Sequence, residues 1–161
     1  MKTVYIGLGG NIANEHGTPK AHLQNAVSAF QESAHFKNVA VSSFYSSKAY
    51  GVTDQPDFIN AVLKADTDLA PIELLDFCQS LENHAGRVRL RHWGERCLDV
   101  DVLLYGDKNI ENERLTVPHK ELTLRNFVVI PMLELDHDLA VNGQPLKELV
   151  AASDWGGLEL L

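Results

Sequence analysis

Long apolar runs, paired cysteines and positive charge are scarce in this sequence, and each shortage argues against a class of protein. No stretch approaches the roughly 18 consecutive apolar residues of a membrane-spanning helix, so no membrane partner is expected. Cys78 and Cys97 stand alone, without a CxxC or a Cys/His cluster, which argues against a disulfide scaffold or a structural zinc. Met1-Lys2-Thr3-Val4-Tyr5 runs directly into a strand-like alternation with no apolar h-region or small-residue cleavage site, pointing to a reducing cytoplasm. The formal net charge of -8 weighs against a nucleic-acid partner, because such affinity comes mostly from neutralising phosphates. Two nucleotide-binding signatures are also missing. Gly7-Leu8-Gly9-Gly10-Asn11 follows the first strand, but Ile12 stands where a G-x-G-x-x-G fingerprint needs its last glycine, and there is no P-loop lysine motif. A triphosphate would have to be held here by side chains and metal.

What is present is a chain of 161 residues, 45% apolar, long enough for one domain (1–161) with a real core. Val4, Ile6 and Leu8 alternate with Thr3, Tyr5 and Gly7, a first strand. Thr18-Pro19 reads as a cap and first helical position, followed by Leu23, Ala26, Val27 and Phe30 at helical spacing. Strands are expected from Val39 to Tyr45 and from Phe58 to Ala65. Pro71 opens a second helix with Leu74, Phe77, Cys78, Leu81 and Ala85 on its buried stripe. A third helix spans Phe127 to Leu135, with Pro131 making its start or straightness uncertain. Strands alternating with amphipathic helices give an α/β sandwich.

Leu98-Asp99-Val100-Asp101-Val102-Leu103-Leu104 carries the chemistry. Period-2 geometry places Leu98, Val100, Val102 and Leu104 on one face, and Asp99 and Asp101 on the other with Leu103 and Tyr105. Two residues of strand advance about 6.6 Å, so the carboxylates can lean over one or two cations. Magnesium suits them because it takes hard oxygen ligands and is usually held by one or two carboxylates plus substrate phosphates. The structural alternative is an edge strand whose aspartates face water.

Arg87, Arg89, Arg91 and Arg96 precede that strand together with His92, against Glu95 as the only acid between Arg87 and Arg96. Such a basic island in an acidic chain suggests a small, highly anionic ligand. The planar guanidinium fork donates to phosphate oxygens in pairs, and a loop bounded by Gly86 and Gly94 could close over a nucleotide with Trp93 as an apolar lid. Ordinary surface arginines are the alternative. Phe58 and Asn60 share a strand face and suit a flat heterocycle, one stacking and one reading an edge, or else a core phenylalanine and a turn asparagine. Gln79 and Glu82 are helix neighbours off the apolar stripe, which alone signals a solvated face. His119, after Pro118, is a phosphate donor or a surface histidine.

Taken together, Ser42-Ser43-Phe44-Tyr45, Asp54-Gln55-Pro56-Asp57-Phe58-Ile59-Asn60-Ala61, Arg96-Cys97-Leu98-Asp99-Val100-Asp101 and Arg114-Leu115-Thr116-Val117-Pro118-His119 resemble the 6-hydroxymethyl-7,8-dihydropterin pyrophosphokinase family of folate biosynthesis. The resemblance runs from the first strand to about Leu135. It implies a ferredoxin-like α+β sandwich, mainly antiparallel and monomeric, that moves the β,γ-diphosphate of ATP to the pterin hydroxymethyl group and releases AMP. It implies two Mg2+ ions on Asp99 and Asp101, with Arg87, Arg96, Asp99 and Asp101 as the catalytic set. Gln79, Glu82, Arg87, Arg96, His119 and Arg125 would line ATP. The pterin would lie between Phe58 and Phe127, read by Asn60 and the backbone around Ser47 and Tyr50. Gly10 departs from a frequent serine, Phe58 from a frequent tyrosine and Lys120 from an aromatic residue. The arginine loop is one residue short, with His92 where an arginine often stands. These departures keep a second expectation in view, a weakened or non-catalytic paralogue that binds a nucleotide or pterin.

Overall fold

The computed structural model describes residues 1–48, 56–86 and 96–161. In chain order the elements are β1 (Lys2–Gly10), α1 (Pro19–Glu32), β2 (Phe36–Val41), β3 (Tyr45–Ser47), β4 (Phe58–Thr67), α2 (Pro71–His84), β5 (Asp99–Tyr105), β6 (Ile110–Glu111), β7 (Thr116–Val117), α3 (Asn126–Leu135), β8 (Ala140–Val141), β9 (Gln144–Pro145) and β10 (Leu158–Leu160). The main sheet runs β10-β3-β4-β1-β5, with β2 also on β4, and its pairings are antiparallel. This is the α+β ferredoxin-like arrangement.

Local chemistry sets the element ends. Thr18 accepts a hydrogen bond from Ala21 N at 3.1 Å, capping α1 ahead of Pro19, whose missing N–H would have been an orphan donor. At α2 the Glu73 carboxylate reaches back to Ala70 N at 2.8 Å. The strand expected from Val39 to Tyr45 is divided at Ser42, which keeps one ladder bond, from its N–H to Val62 O at 2.8 Å, and replaces the other with its side chain. Its Oγ accepts from Val62 N at 2.9 Å and donates to Ser43 O at 2.8 Å. The chain leaves the β2 path there and resumes as β3. Pro131 lies inside α3, where it forfeits a single hydrogen bond to the turn before it.

Alternation divides the apolar residues between two cores. Val4, Ile6 and Leu8 of β1 join Ala61, Leu63 and Ala65 of β4 and Val100 and Val102 of β5 under α1 and α2. A triangle of Phe30, Phe36 and Phe77, with centroids 4.8–5.0 Å apart, seals that side, each pair adding about 0.5–1.5 kcal/mol beyond area burial. On the opposite face Tyr5, Val62, Leu103 and Leu104 pack under α3 and the segment around Leu146.

One expectation is corrected. Leu104 does not continue the face of Val100 and Val102. It shares the second core with Leu103, whereas Tyr105 joins the first. The β1–β5 register pairs Ile6 with Val102 and Tyr5 with Leu104, leaving Leu103 as the extra residue of a bulge. A bulge inserts one residue and so reverses the facing of everything beyond it.

His22, on α1, is buried and its Nε2 meets Asn14 Oδ1 at 2.9 Å. Burial, then the neighbouring His16, holds its pKa below the ordinary 6.5 against a smaller opposing pull from the Gly17 backbone. The folded state therefore binds this proton more weakly than the unfolded chain. Stability from this group is present above about pH 6.5 and is lost as pH falls below it. Thermal unfolding followed from pH 7.5 to 5 should show a falling midpoint, and His22→Gln should flatten that slope.

Candidate active site

The second face of the sheet is not covered along its full length. On β1 its residues shrink from Thr3 and Tyr5 to Gly7 and Gly9, and α3 covers only the Tyr5 end. The uncovered end is a cleft of about 320 Å³. Gly7 and Gly9 form its floor. A Cβ at Gly9 would sit 3.2 Å from Asn60 Oδ1, and one at Gly7 would touch the Leu103 side chain at 3.4 Å. Register places Gly9 opposite Asn60 on β4 and opposite Asp99 on β5, and Gly7 opposite Asp101.

Most of the residues singled out from sequence converge here. Ser47, Phe58, Asn60, Glu82, Arg96, Asp99, Asp101, His119, Arg125 and Phe127 all line this one cleft. Gln79 does not. It lies on the exposed side of α2, where its Oε1 accepts from Arg114 at 3.1 Å. Tyr50, Arg87, Arg89, Arg91, His92 and Trp93 lie outside the described residues.

The cleft has two chemically distinct ends. At one, Asn60 donates from Nδ2 to Ser47 Oγ at 2.6 Å. That bond fixes the amide plane, with Phe58 on the same strand face and Phe127 lining the cleft from α3. The Arg125 guanidinium stacks 5.5 Å from the Phe127 ring centre and bonds Glu121. At the other end stand Asp99, Asp101, Arg96 and His119. Arg96 Nη1 meets Asp99 Oδ1 at 3.3 Å, while its buried Nε has no hydrogen-bond partner among the described residues. The His119 backbone N–H is tied to Leu103 O at 3.1 Å, and its Nδ1 accepts from Glu121 N at 3.3 Å.

Glu82 departs from the solvated helix face read from its spacing. It is 5% exposed, and its Oε2 accepts from Val100 N at 2.9 Å. β5 is the last strand of the sheet, so an outward N–H between the two aspartates needs an acceptor, and the final turn of α2 supplies it. Beneath them, burial pushes the Cys78 thiol pKa well up, and the negative fields of Asp101 and Glu82 push it further.

Asn11 is the positioning residue that sequence reasoning missed. It is buried, accepts Arg96 N on Oδ1 at 2.8 Å and donates from Nδ2 to Pro56 O at 3.0 Å. Its own N–H and that of Ile12 both bond Arg96 O. One asparagine thus ties the approach to Asp99 to the approach to Phe58. The close contact explains Gly10, because a Cβ there would run into the Cys97 carbonyl oxygen. The available signal was the Gly-Gly-Asn at the end of the first strand.

The donor set fits magnesium. Two carboxylates on one strand face supply hard oxygens, and among the described residues no group of three or more His, Cys, Asp or Glu forms an all-protein cage. Magnesium commonly completes such a set with substrate oxygens. Glu82→Ala should destabilise the fold by about 1–3 kcal/mol by orphaning a buried N–H. Glu82→Gln, which keeps an acceptor oxygen, should cost less, both read from urea unfolding.

Comparison with known proteins points to one family. The family described as 7,8-dihydro-6-hydroxymethylpterin-pyrophosphokinase (HPPK) matches residues 5–137. A Haemophilus influenzae protein named 2-amino-4-hydroxy-6-hydroxymethyldihydropteridine pyrophosphokinase is 49% identical over 151 residues, covering 93% of this chain and 92% of its own. A Pseudomonas aeruginosa protein of the same name is 42% identical over 162 residues, covering 100% and 98%. In fold, the chain is similar to a crystal structure of a Plasmodium falciparum HPPK-DHPS triple mutant with pteroate. The TM-score is 0.67 at 12% identity, over 99% of this chain and 46% of that longer one. By sequence over nearly its whole length, the chain belongs to the 7,8-dihydro-6-hydroxymethylpterin-pyrophosphokinase family.

Proposed function

We infer that this protein transfers the β,γ-diphosphate of ATP to the hydroxymethyl oxygen of 6-hydroxymethyl-7,8-dihydropterin, releasing AMP, as a step of folate biosynthesis. The observation that carries the reading is the row Asn60–Gly9–Asp99 across three adjacent strands. A heterocycle-reading amide and a cation-holding carboxylate flank a residue with no side chain, in one cleft.

Each end has its task. Phe58 and Phe127 sandwich the pterin ring. Asn60, with one N–H committed to Ser47, offers its other N–H and its Oδ1 as the donor–acceptor pair that a pterin edge matches. Arg96, Arg125 and His119 receive phosphate oxygens, and Arg87 belongs to the same set. Asp99 and Asp101 would hold two Mg2+ ions, which when bound neutralise phosphate charge and order the triphosphate. The acceptor hydroxyl attacks the β-phosphorus in line, its O–P bond forms as the bond to the AMP oxygen breaks, and arginines carry charge developing on the transferred group. Removal of the hydroxyl proton would be assisted by Asp101 or by a metal ion held there.

The same reading makes the protein a cytoplasmic monomer acting on small molecules. Among the described residues no helix is long and apolar enough to cross a membrane, and residues assigned to each substrate line one cleft within a single chain.

Purified protein given ATP, the pterin and Mg2+ should release AMP in a coupled assay. Asp99→Ala and Asp101→Ala should each lower kcat by about 10³-fold or more, with the circular dichroism spectrum unchanged. ADP as the product, or full activity in excess chelator, would overturn the assignment. Gly9→Ala puts a methyl against Asn60 Oδ1. It should raise KM for the pterin about tenfold or more and leave KM for ATP within about twofold, by steady-state kinetics with each substrate varied.

A further inference from the structure

The C-terminal segment touches neither end of the cleft directly, yet it is built into both walls of the pterin end. On one side β10 completes β3. Leu158 pairs with Ser47 and Leu160 with Tyr45, Lys48 N donates to Gly157 O at 3.1 Å, and Leu161 N donates to Phe44 O at 3.0 Å. β3 has only three residues, and without β10 it would be an exposed edge carrying Ser47. On the other side stands Asn126, first residue of α3 and immediate neighbour of Arg125 and Phe127. It is 9% exposed, and its Nδ2 donates to both Asp154 O at 2.8 Å and Gly156 O at 3.1 Å. Leu158 packs with Tyr45 and Ile130, and Phe127 lies against that group. Trp155 meets Tyr45 in a tilted contact, with ring centres 6.0 Å apart.

We propose that Asn126 and residues 155–161 form a strut that fixes the separation of the two walls of the pterin site, so that Asn126 is a positioning residue for the acceptor substrate and not for ATP. The inference rests on the pyrophosphokinase reading for the identity of the acceptor. Its physical basis is the double donation. A primary amide spends both N–H bonds on backbone carbonyls of the tail, and the same tail is hydrogen-bonded to the strand that presents Ser47. The tether reaches the ring-stacking wall through one peptide bond, between Asn126 and Phe127. The carboxylates lie on β5, at the far edge of the sheet from β10, and have no bond to the tail among the described residues. A substrate held between the walls loses affinity when their spacing is no longer fixed, whereas a triphosphate held by Asp99, Asp101, Arg96 and His119 as well as by Arg125, one peptide bond from Asn126, keeps most of its contacts.

The test uses the full chain carrying Asn126→Ala, Asn126→Asp or Asn126→Gln. Asn126→Ala should raise KM for the pterin about tenfold, with KM for ATP and kcat within about twofold. Asn126→Asp, the same shape without the donor, should behave like the alanine variant, and Asn126→Gln should recover part of the loss. In Asn126→Ala the amides of Lys48 and Leu158 should exchange with deuterium faster, while those of β1 keep the wild-type rate. Trp155→Ala, which loosens the tail from outside the cleft, should shift pterin KM in the same direction and serves if the Asn126 variants do not fold.

A lower melting temperature with unchanged pterin KM would make the strut purely structural and overturn the proposal. An equal rise in both KM values would also overturn it. Wild-type behaviour separates the two claims. No AMP from wild type defeats the functional reading, whereas normal wild-type turnover with an insensitive Asn126→Ala defeats the strut alone.

Discussion

The pairing of β1 with β4 on one side and β5 on the other is the constraint on which the remaining structure depends. Neighbouring strands lie about 4.8 Å apart, so placing Gly9 between Asn60 and Asp99 sets those two residues about 10 Å from each other across the sheet. The register that does this is held from the opposite face. Val4, Ile6 and Leu8 are buried against α1 and α2 together with Leu63, Ala65, Val100 and Val102. A slip by one residue would expose that whole set, so apolar burial far from the chemistry enforces the spacing of the reacting groups.

The same strand shows how one face serves as both core and cleft. Tyr5 is covered by α3, while Gly7 and Gly9, two and four residues on, line the cleft. The bulge at Leu103 completes the arrangement. It leaves Asp99 and Asp101 facing the cleft, yet lets Leu103 and Leu104 both enter the second core. Charge and hydrocarbon are thereby separated within seven residues. Glu82 holds the edge of that strand by accepting from Val100 N, so a third carboxylate orders the backbone between the other two.

Much of this was legible from particular residues. Thr18-Pro19 and Pro71 marked helix starts because capping is local chemistry. The aspartate pair and the Phe58/Asn60 pair were legible because strand alternation needs only two-residue periodicity. The unread features all depend on distant segments. Glu82 looked solvated since spacing along α2 says nothing of an edge N–H on β5. Asn11 carried no role because its partners, Pro56 and Arg96, lie 45 and 85 residues away. Gln79, expected to line the nucleotide, is bonded to Arg114 and is not among the residues lining the cleft, and two side chains 35 residues apart give no sequence signal of their meeting.

The sequence by itself determined the chemistry on offer, namely paired carboxylates, a basic island and an aromatic beside an amide, together with the helix starts and strand faces that local geometry dictates. Its ordered motifs also sufficed to indicate the family. Only the tertiary structure decided that Gly7 and Gly9, whose spacing already argued against a phosphate loop, are the floor of a cleft. It alone placed the bulge that reverses the end of β5, and it tied the C-terminal tail to both walls of the cleft. The physical reason is that alternation and capping act within a few residues, whereas register, bulges and buried hydrogen bonds are settled by segments that meet only after the chain has folded.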